Sequence, residues 1–406
     1  MNKMCCGRYT RIDRRQFIKL MAATSGWAIL PPAFSYAAPK AIGYGAEAPV
    51  ALAGVQQGAE DPFVAEAVKN AAREATDFSW LSRGDSVLIK PALNSGNLYP
   101  ATTSPVGIGA MIELLREKGA GRVIVCDMSG IEHLKLTPDK LKGSTRDLMT
   151  ASGMARVVLE AGGELHFPEE AGWDGFFADG LAGSSHWKDG LMMPKILREV
   201  DHLVLMPRCS RHALLGSSLG MKNAVGYWRT DTRLEYHRDA ATIHEKTAEA
   251  NRLPCLFNKQ RLVLTTATKV LTTFGPDDGF VAAPATGLVI ASESIVAHDM
   301  VSLAWLLENR AMMSDSERES ARDPYKGQFR VNLINHVIVS YLGGVVEASQ
   351  AQKLVRHDIR TIWDDRVLNR AYEVFGGIPR VKLLNAGQSI PEATKSSLLD
   401  AISKPI

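Results

Sequence analysis

The sequence predicts an α/β protein: a mainly parallel sheet with helices on both faces and a helical C-terminal extension. Three observations carry this. Short apolar runs, "DSVLIKPAL" (85–93), "RVIVCDM" (122–128) and "DHLVLMPR" (201–208), alternate with segments of helical periodicity. The first two flank one such segment, and a strand–helix–strand unit implies a parallel pair with a right-handed crossover. The chain has 406 residues, 46% of them hydrophobic and 22% charged, which suits one large α/β body with a sizeable core.

The chain begins with an expected export signal. Arg14-Arg15-Gln16-Phe17-Ile18-Lys19 precedes a mildly apolar stretch from Leu20 to Leu30, with small residues at Ser35, Ala37 and Ala38. This is the pattern of a twin-arginine signal cleaved near Ala37 or Ala38. It implies the twin-arginine translocase as a partner and a periplasmic or otherwise exported location. Residues 1–38 hold six Lys or Arg and one Asp, so of the 47 basic and 44 acidic side chains 41 and 43 remain, a net of −2. The basic balance of the whole chain is therefore no argument for nucleic acid or for an anionic membrane. No later apolar run reads as a membrane span. Cys5 and Cys6 leave with the signal. Cys126, Cys209 and Cys255 stand too far apart for a zinc or iron–sulfur spacing. No cofactor is identified by the sequence.

Residues 39–60 read as an Ala/Gly-rich lead-in. The run at 85–93 reads as a buried strand, and "SPVGIGAMIELLREKGAG" as a helix capped by Ser104, begun by Pro105 and stopped at Gly119. A strand follows at 122–128. A helix is expected over 146–161, a strand near "ELHF", a strand at "DHLVLMPR", and helices starting near Ser217 and running over about 241–253. Strands "QRLVLTTAT" and "TGLVIAS" then precede a helix over about 294–309. Beyond Ser314 the pattern is helical and charged, with no obvious strand. The expected organisation is a signal at 1–38, an α/β domain at 39–310, and a helical extension at 311–406 packed on that domain.

In open parallel sheets ligands bind outside the carboxyl ends of the strands, so polar residues there are the candidates. Lys90 ends the first strand, and Asn94, Thr102 and Thr103 follow before a helix N-terminus. Arg208, Arg211 and His212 follow "DHLVLMP", and Lys222 and Asn223 come ten residues after the histidine. Cations and amide donors gathered with helix N-termini favour an anion. His237 and His244, seven residues apart, would lie two turns apart on a continuous helix and are weak metal candidates; the i, i+4 metal pattern is absent. Asp299 lies beside the stripe Val296, Met300, Leu303 and Leu307, so its carboxylate must be paired or hydrogen-bonded, either to orient a catalytic His or Lys or to cap a backbone loop. No Gly-x-Ser-x-Gly elbow, P-loop or Gly-x-Gly-x-x-Gly occurs, which argues against serine hydrolases, nucleoside triphosphatases and ordinary dinucleotide enzymes.

These blocks resemble the family called domain of unknown function 362. "VLIKPALNSGNLYPATTSPVGIGAMIELLREKGAGRVIVCD" is similar to its opening, "PRCSRHALLGSSLGMKNAVG" to its second block, and "FGPDDGFVAAPATGLVIASESIVAHDMV" to its third. The resemblance covers roughly 50–310 and implies the sheet fold and a site at its edge. Arg208 stands where the family has Lys, Ser210-Arg211-His212 replaces Lys-Thr-His, and Thr266 replaces an Asp. Arg keeps the charge but cannot act as a proton-transfer base. The ferredoxin-type cysteine clusters fused to some relatives are absent. The sequence thus leads to an exported enzyme acting on a small carboxylate or phosphate ester. His212, Lys90 and Asp299 are its catalytic candidates, with Asn94, Thr102, Thr103, Arg208, Arg211, Lys222 and Asn223 holding substrate. The alternative is a non-catalytic metal-, cofactor- or solute-binding protein, or a periplasmic redox-associated one.

Overall fold

The computed structural model describes residues 43–406, apart from 274, 276, 278, 315–327, 356–357, 388–389 and 404–406. The expected signal at 1–38 lies outside the described residues. Eight strands form the main sheet: β1 (Tyr44–Gln56), β2 (Ser86–Pro91), β3 (Arg122–Cys126), β4 (Glu164–His166), β5 (His202–Met206), β6 (Gln260–Ala267), β7 (Thr286–Ser292) and β8 (Ile378–Asn385). Their spatial order is β8-β1-β7-β6-β5-β2-β3-β4. Only β7 runs against its neighbours, pairing antiparallel with both β1 and β6. The sheet is mainly parallel, as expected.

Side chains alternate across the strands, as the two-residue period of a strand requires. Val87 and Ile89 of β2, Val123 and Val125 of β3, and Val204 and Met206 of β5 face one apolar layer. Leu88, Ile124, Leu203 and Leu205 face the other. The first layer is closed by helices α1 (Asp61–Ala75) and α2 (Pro105–Glu117), with α3 (Thr145–Ala151) and α4 (Met154–Glu160) beside them. On the second face lie α5 (Thr230–Arg238), α6 (Ile243–Ala250), α7 (Ile295–Ala311), α8 (Gln328–Ser349), α9 (Arg366–Val374) and α10 (Glu392–Ile402).

The start of α2 follows its sequence signals: Ser104 Oγ accepts from Gly107 N at 3.3 Å, and Pro105 opens the first turn. Gly119 takes φ +106° just past its end, a conformation a side chain would strain.

Several expectations are corrected. The supposed lead-in is β1, a 13-residue strand paired on both sides. The helix expected over 146–161 breaks into α3 and α4 at Gly153, whose φ is +79°. Near Ser217 the chain forms a hairpin instead of a helix: Ser210–His212 pairs antiparallel with Gly216–Ser218, and a 3-10 helix follows over Met221–Tyr227. The extension beyond 310 is not purely helical, because it supplies β8, which pairs in parallel with β1. Residues Ala41–Ile406 cluster as one compact unit, so the extension completes the sheet. By length and composition alone, α8 is also apolar enough to cross a membrane, which the sequence reading missed. Here it packs on α5 and buries Val331, Asn335, Val339 and Leu342.

Candidate functional site

Strands β5, β2 and β3 lie side by side and run in parallel, so their carboxyl ends share one edge. Lys90 stands at the end of β2 and Asp127 just past β3. The ammonium of Lys90 lies 2.8 Å from Asp127 Oδ1, donates to Pro91 O at 2.7 Å, and reaches Asn223 Oδ1 at 3.4 Å. An ammonium has three donors, and all three are engaged. Asp127 also accepts from Leu93 N and Met128 N at 2.8 and 2.7 Å. Lys90 is 1% exposed, and burial lowers its pKa against the pull of Asp127. This pair ties two strand ends together. Lys90, expected to be catalytic, is a structural cation with no donor left for a substrate.

Other expected ligands are engaged in the same way. Asn223 Nδ2 donates to Lys90 O at 2.7 Å. Thr102 Oγ1 donates to Asn97 O at 3.0 Å, and Thr103 Oγ1 joins Met206 O at 2.5 Å to Ala92 N at 2.8 Å. Asn94 contributes its backbone, accepting from Gly130 N at 3.0 Å. These four residues hold the loops around the site in register. Arg208 is buried beneath them, donating to Ala101 O and, at 3.5 Å, to Ser218 Oγ. Burial brings its pKa down to about 10.

Of the two roles its position allows, Asp299 takes the backbone-capping one. It faces neither His212 nor Lys90. Its Oδ1 accepts from Gly220 N at 2.8 Å and its Oδ2 from Met221 N at 2.7 Å, while His298 Nδ1 lies 2.8 Å from Oδ1. The carboxylate therefore fixes the first turn of the 3-10 helix that carries Lys222. A Cβ at Gly220 would stand 2.7 Å from Asp299 Oδ1, so glycine permits this close approach.

His212 also departs from the acid–base role expected of it. Its Nδ1 accepts from Leu214 N and Leu215 N at 3.2 and 3.4 Å, so the proton of the neutral ring sits on Nε2. Burial, then the charges of Lys222 and Arg208, hold its pKa well below the usual value. It is a neutral donor, not a base working near neutrality. His237 has the opposite tautomer. Asn335 Nδ2 donates to His237 O at 2.8 Å, which turns Asn335 Oδ1 towards His237 Nδ1 at 2.9 Å. The Nε2 of His237 is left as an acceptor. Burial, then Lys222 and Arg233, bring its pKa down to about 4. His237 on α5 and His244 on α6 are separated by a 3-10 turn at Ala240–Thr242, so they do not share one continuous helix.

Lys222 stands apart from every other cation here. It is half-buried, and no hydrogen bond or ion pair engages its ammonium among the described residues. Burial, then Arg208, Arg233 and Lys90, lower its pKa to about 7, with Asp127 opposing. Arg233 is buried and clamps the loop after β3, donating to Ser129 O and Met128 O at 2.6 and 2.7 Å. Sequence reasoning gave no role to Arg233, Asn335 or Asp365. Asp365 begins α9 and lines one cavity with Lys222 and Asp299. No spacing rule links such distant positions.

An open α/β sheet carrying a cationic site at its carboxyl edge is the class of protein these features define. The family described as Domain of unknown function (DUF362) matches residues 87–304, and the chain belongs to it. No curated protein matches the sequence. Among solved structures, the lactate racemase apoprotein from Thermoanaerobacterium thermosaccharolyticum is 14% identical with a TM-score of 0.39, the match covering 62% of this chain and 54% of that one. A Thermotoga maritima protein is 11% identical with a TM-score of 0.34, over 58% and 56% of the two chains. The chain thus spans about half the length of each.

Proposed function

We propose that this protein is an exported enzyme that transfers a proton on a small anionic molecule, a carboxylate or phosphate ester, held at Lys222. One observation carries the reading: Lys222 lies in a strongly cationic setting and has no hydrogen-bond or ion-pair partner among the described residues. Lys90, Arg208, Arg233 and Lys222 all feel Asp127, and Asp127 is already paired with Lys90. Buried charge needs compensation, and a bound anion supplies it. An amine with a pKa of about 7 also gains and loses protons at working pH, which suits general acid–base work. The Nε2–H of His212 would donate to the substrate and the Nε2 of His237 would accept from it.

The test is a thermal-shift titration of wild type and Lys222→Met with inorganic phosphate and malonate. Wild type should gain melting temperature with anion and Lys222→Met should not. Equal gains in both would remove Lys222 from the site. Export rests on Arg14 and Arg15: replacing both with Lys should retain the chain in the cytoplasm on fractionation, and unchanged export would exclude the twin-arginine route. A metal-binding reading has one observation of its own. Glu132, His133 and Asp277 bring a ligand atom each within 4.8 Å of one another. Metal analysis of the purified protein, with His133→Ala as control, decides it.

A further inference from the structure

The cavity beside Lys222 is also lined by a carboxylate with one oxygen left unsatisfied, that of Asp365. Asp365 is 2% exposed. Its Oδ1 caps α9 by accepting from Leu368 N at 2.9 Å, which fixes the carboxylate. Its Oδ2 is buried and accepts no hydrogen bond among the described residues. Asp365, Lys222, Asp299 and Ser217 line the same cavity, with apolar walls from Leu215 and Leu303. The oxygens of Asp299 are engaged by Gly220 N, Met221 N and His298. One cavity therefore contains an unengaged ammonium on a flexible stem and an unengaged carboxylate oxygen on a rigid one.

We infer that Asp365 is the resting counter-ion of Lys222, a carboxylate brought in from outside the family-matching stretch, and that an entering anion must displace it. The inference rests on the proposed reading of Lys222 as the anion-holding group. An unpaired buried carboxylate oxygen and an unpaired half-buried ammonium are each costly, and a lysine stem that swung across their shared cavity to Asp365 would relieve both. The structure shows the two groups unpaired in one cavity; closure of the lysine onto Asp365 would give Lys222 two alternative partners, this carboxylate in the resting site and the anion in the filled one. Asp365 thus acts as a positioning residue that competes with the ligand.

The competition depends on pH. Around Asp365 stand Asp299 on α7, Arg211 on the hairpin and Tyr372 on α9. Burial and Asp299 raise the carboxyl to about 6, and Arg211 and two backbone N–H groups oppose them. Around Lys222 stand Arg208, Arg233, Lys90 and Asp127, together with His212 and His237. Competition should grow as pH rises through about 6, where Asp365 ionises, and fade as pH falls below it.

The experiment is calorimetric titration of the full chain with inorganic phosphate at pH 7.5 and pH 5. The comparison is wild type against Asp365→Asn, whose amide oxygen can still cap α9. Asp365→Ser, with a capping hydroxyl, is the second variant should the first fold poorly. At pH 7.5 the variant should bind phosphate about 5- to 10-fold more tightly, and at pH 5 the two should converge. Equal affinity at pH 7.5, or weaker binding by the folded variant, overturns the counter-ion role while leaving the anion site standing. Absence of phosphate binding by wild type and variant alike, or unchanged binding by Lys222→Met, overturns the anion site and this inference with it.

Discussion

Two lysines at one sheet edge have opposite fates. Lys90 is 1% exposed, with all three donors engaged and a carboxylate at 2.8 Å. Lys222 is half-buried, surrounded by cations, and has neither hydrogen bond nor ion pair among the described residues. Sequence position alone does not separate them, since both follow apolar strands and both are cationic. Their partners do. A satisfied buried cation is part of the scaffold, whereas one left unsatisfied is a candidate site, and here the place of the proposed anion.

The largest expected effect comes from breaking the satisfied pair. Lys90→Met leaves Asp127 buried without its cation, and such losses run to about 3–5 kcal/mol. Urea unfolding should show a large drop in the midpoint, and a drop no greater than that of Lys222→Met would erase the distinction between the two lysines. A smaller effect is expected at Gly226. A Cβ there would collide with Asp127 Oδ1 and Lys90 Nζ. Gly226→Ala should destabilise by about 1–3 kcal/mol, the range for overpacking a well-filled site. Near-neutral unfolding of that variant would mean that the pair can move aside, and with it the two strand ends.

What was legible in the sequence follows the same division. Elements built from local signals were readable: Ser104, Pro105 and Gly119 frame α2, and apolar runs mark β2, β3 and β5. β8 was not readable. Its burial alternates, Arg380 and Lys382 interrupt it, and it is made a strand by pairing with β1, more than 300 residues earlier. At the site, the gathering of cations was visible because strand ends and charges are both local properties. Which cations are engaged was not. Asn223 meets Lys90 across 133 positions, Asn335 sets the tautomer of His237 across 98, and Asp365 reaches the cavity from the far side of the family-matching stretch.

The smallest expected change in stability, and the sharpest test of the comparison, is at Lys222 itself. Its folded pKa, about 7, is depressed below the ordinary 10.5 by burial and by neighbouring cations. Between these values the unfolded chain binds more protons than the folded one, so this residue makes stability rise with pH from about 7 to about 10.5. As pH falls through 7, the folded chain must carry the unfavourable charge. Lys222→Met should therefore be slightly more stable than wild type near neutrality, by about 1 kcal/mol once solvent screening of a half-buried group is allowed for. It should also lose this residue's part of the pH slope. Anion binding runs the other way, since the ammonium is the binding form: affinity for phosphate should weaken by up to about tenfold per pH unit above 7. Lys90→Arg, which keeps its charge beside Asp127, should leave that binding slope in place. If the slope instead vanished with Lys90→Arg and persisted in Lys222→Met, the two lysines would have exchanged roles.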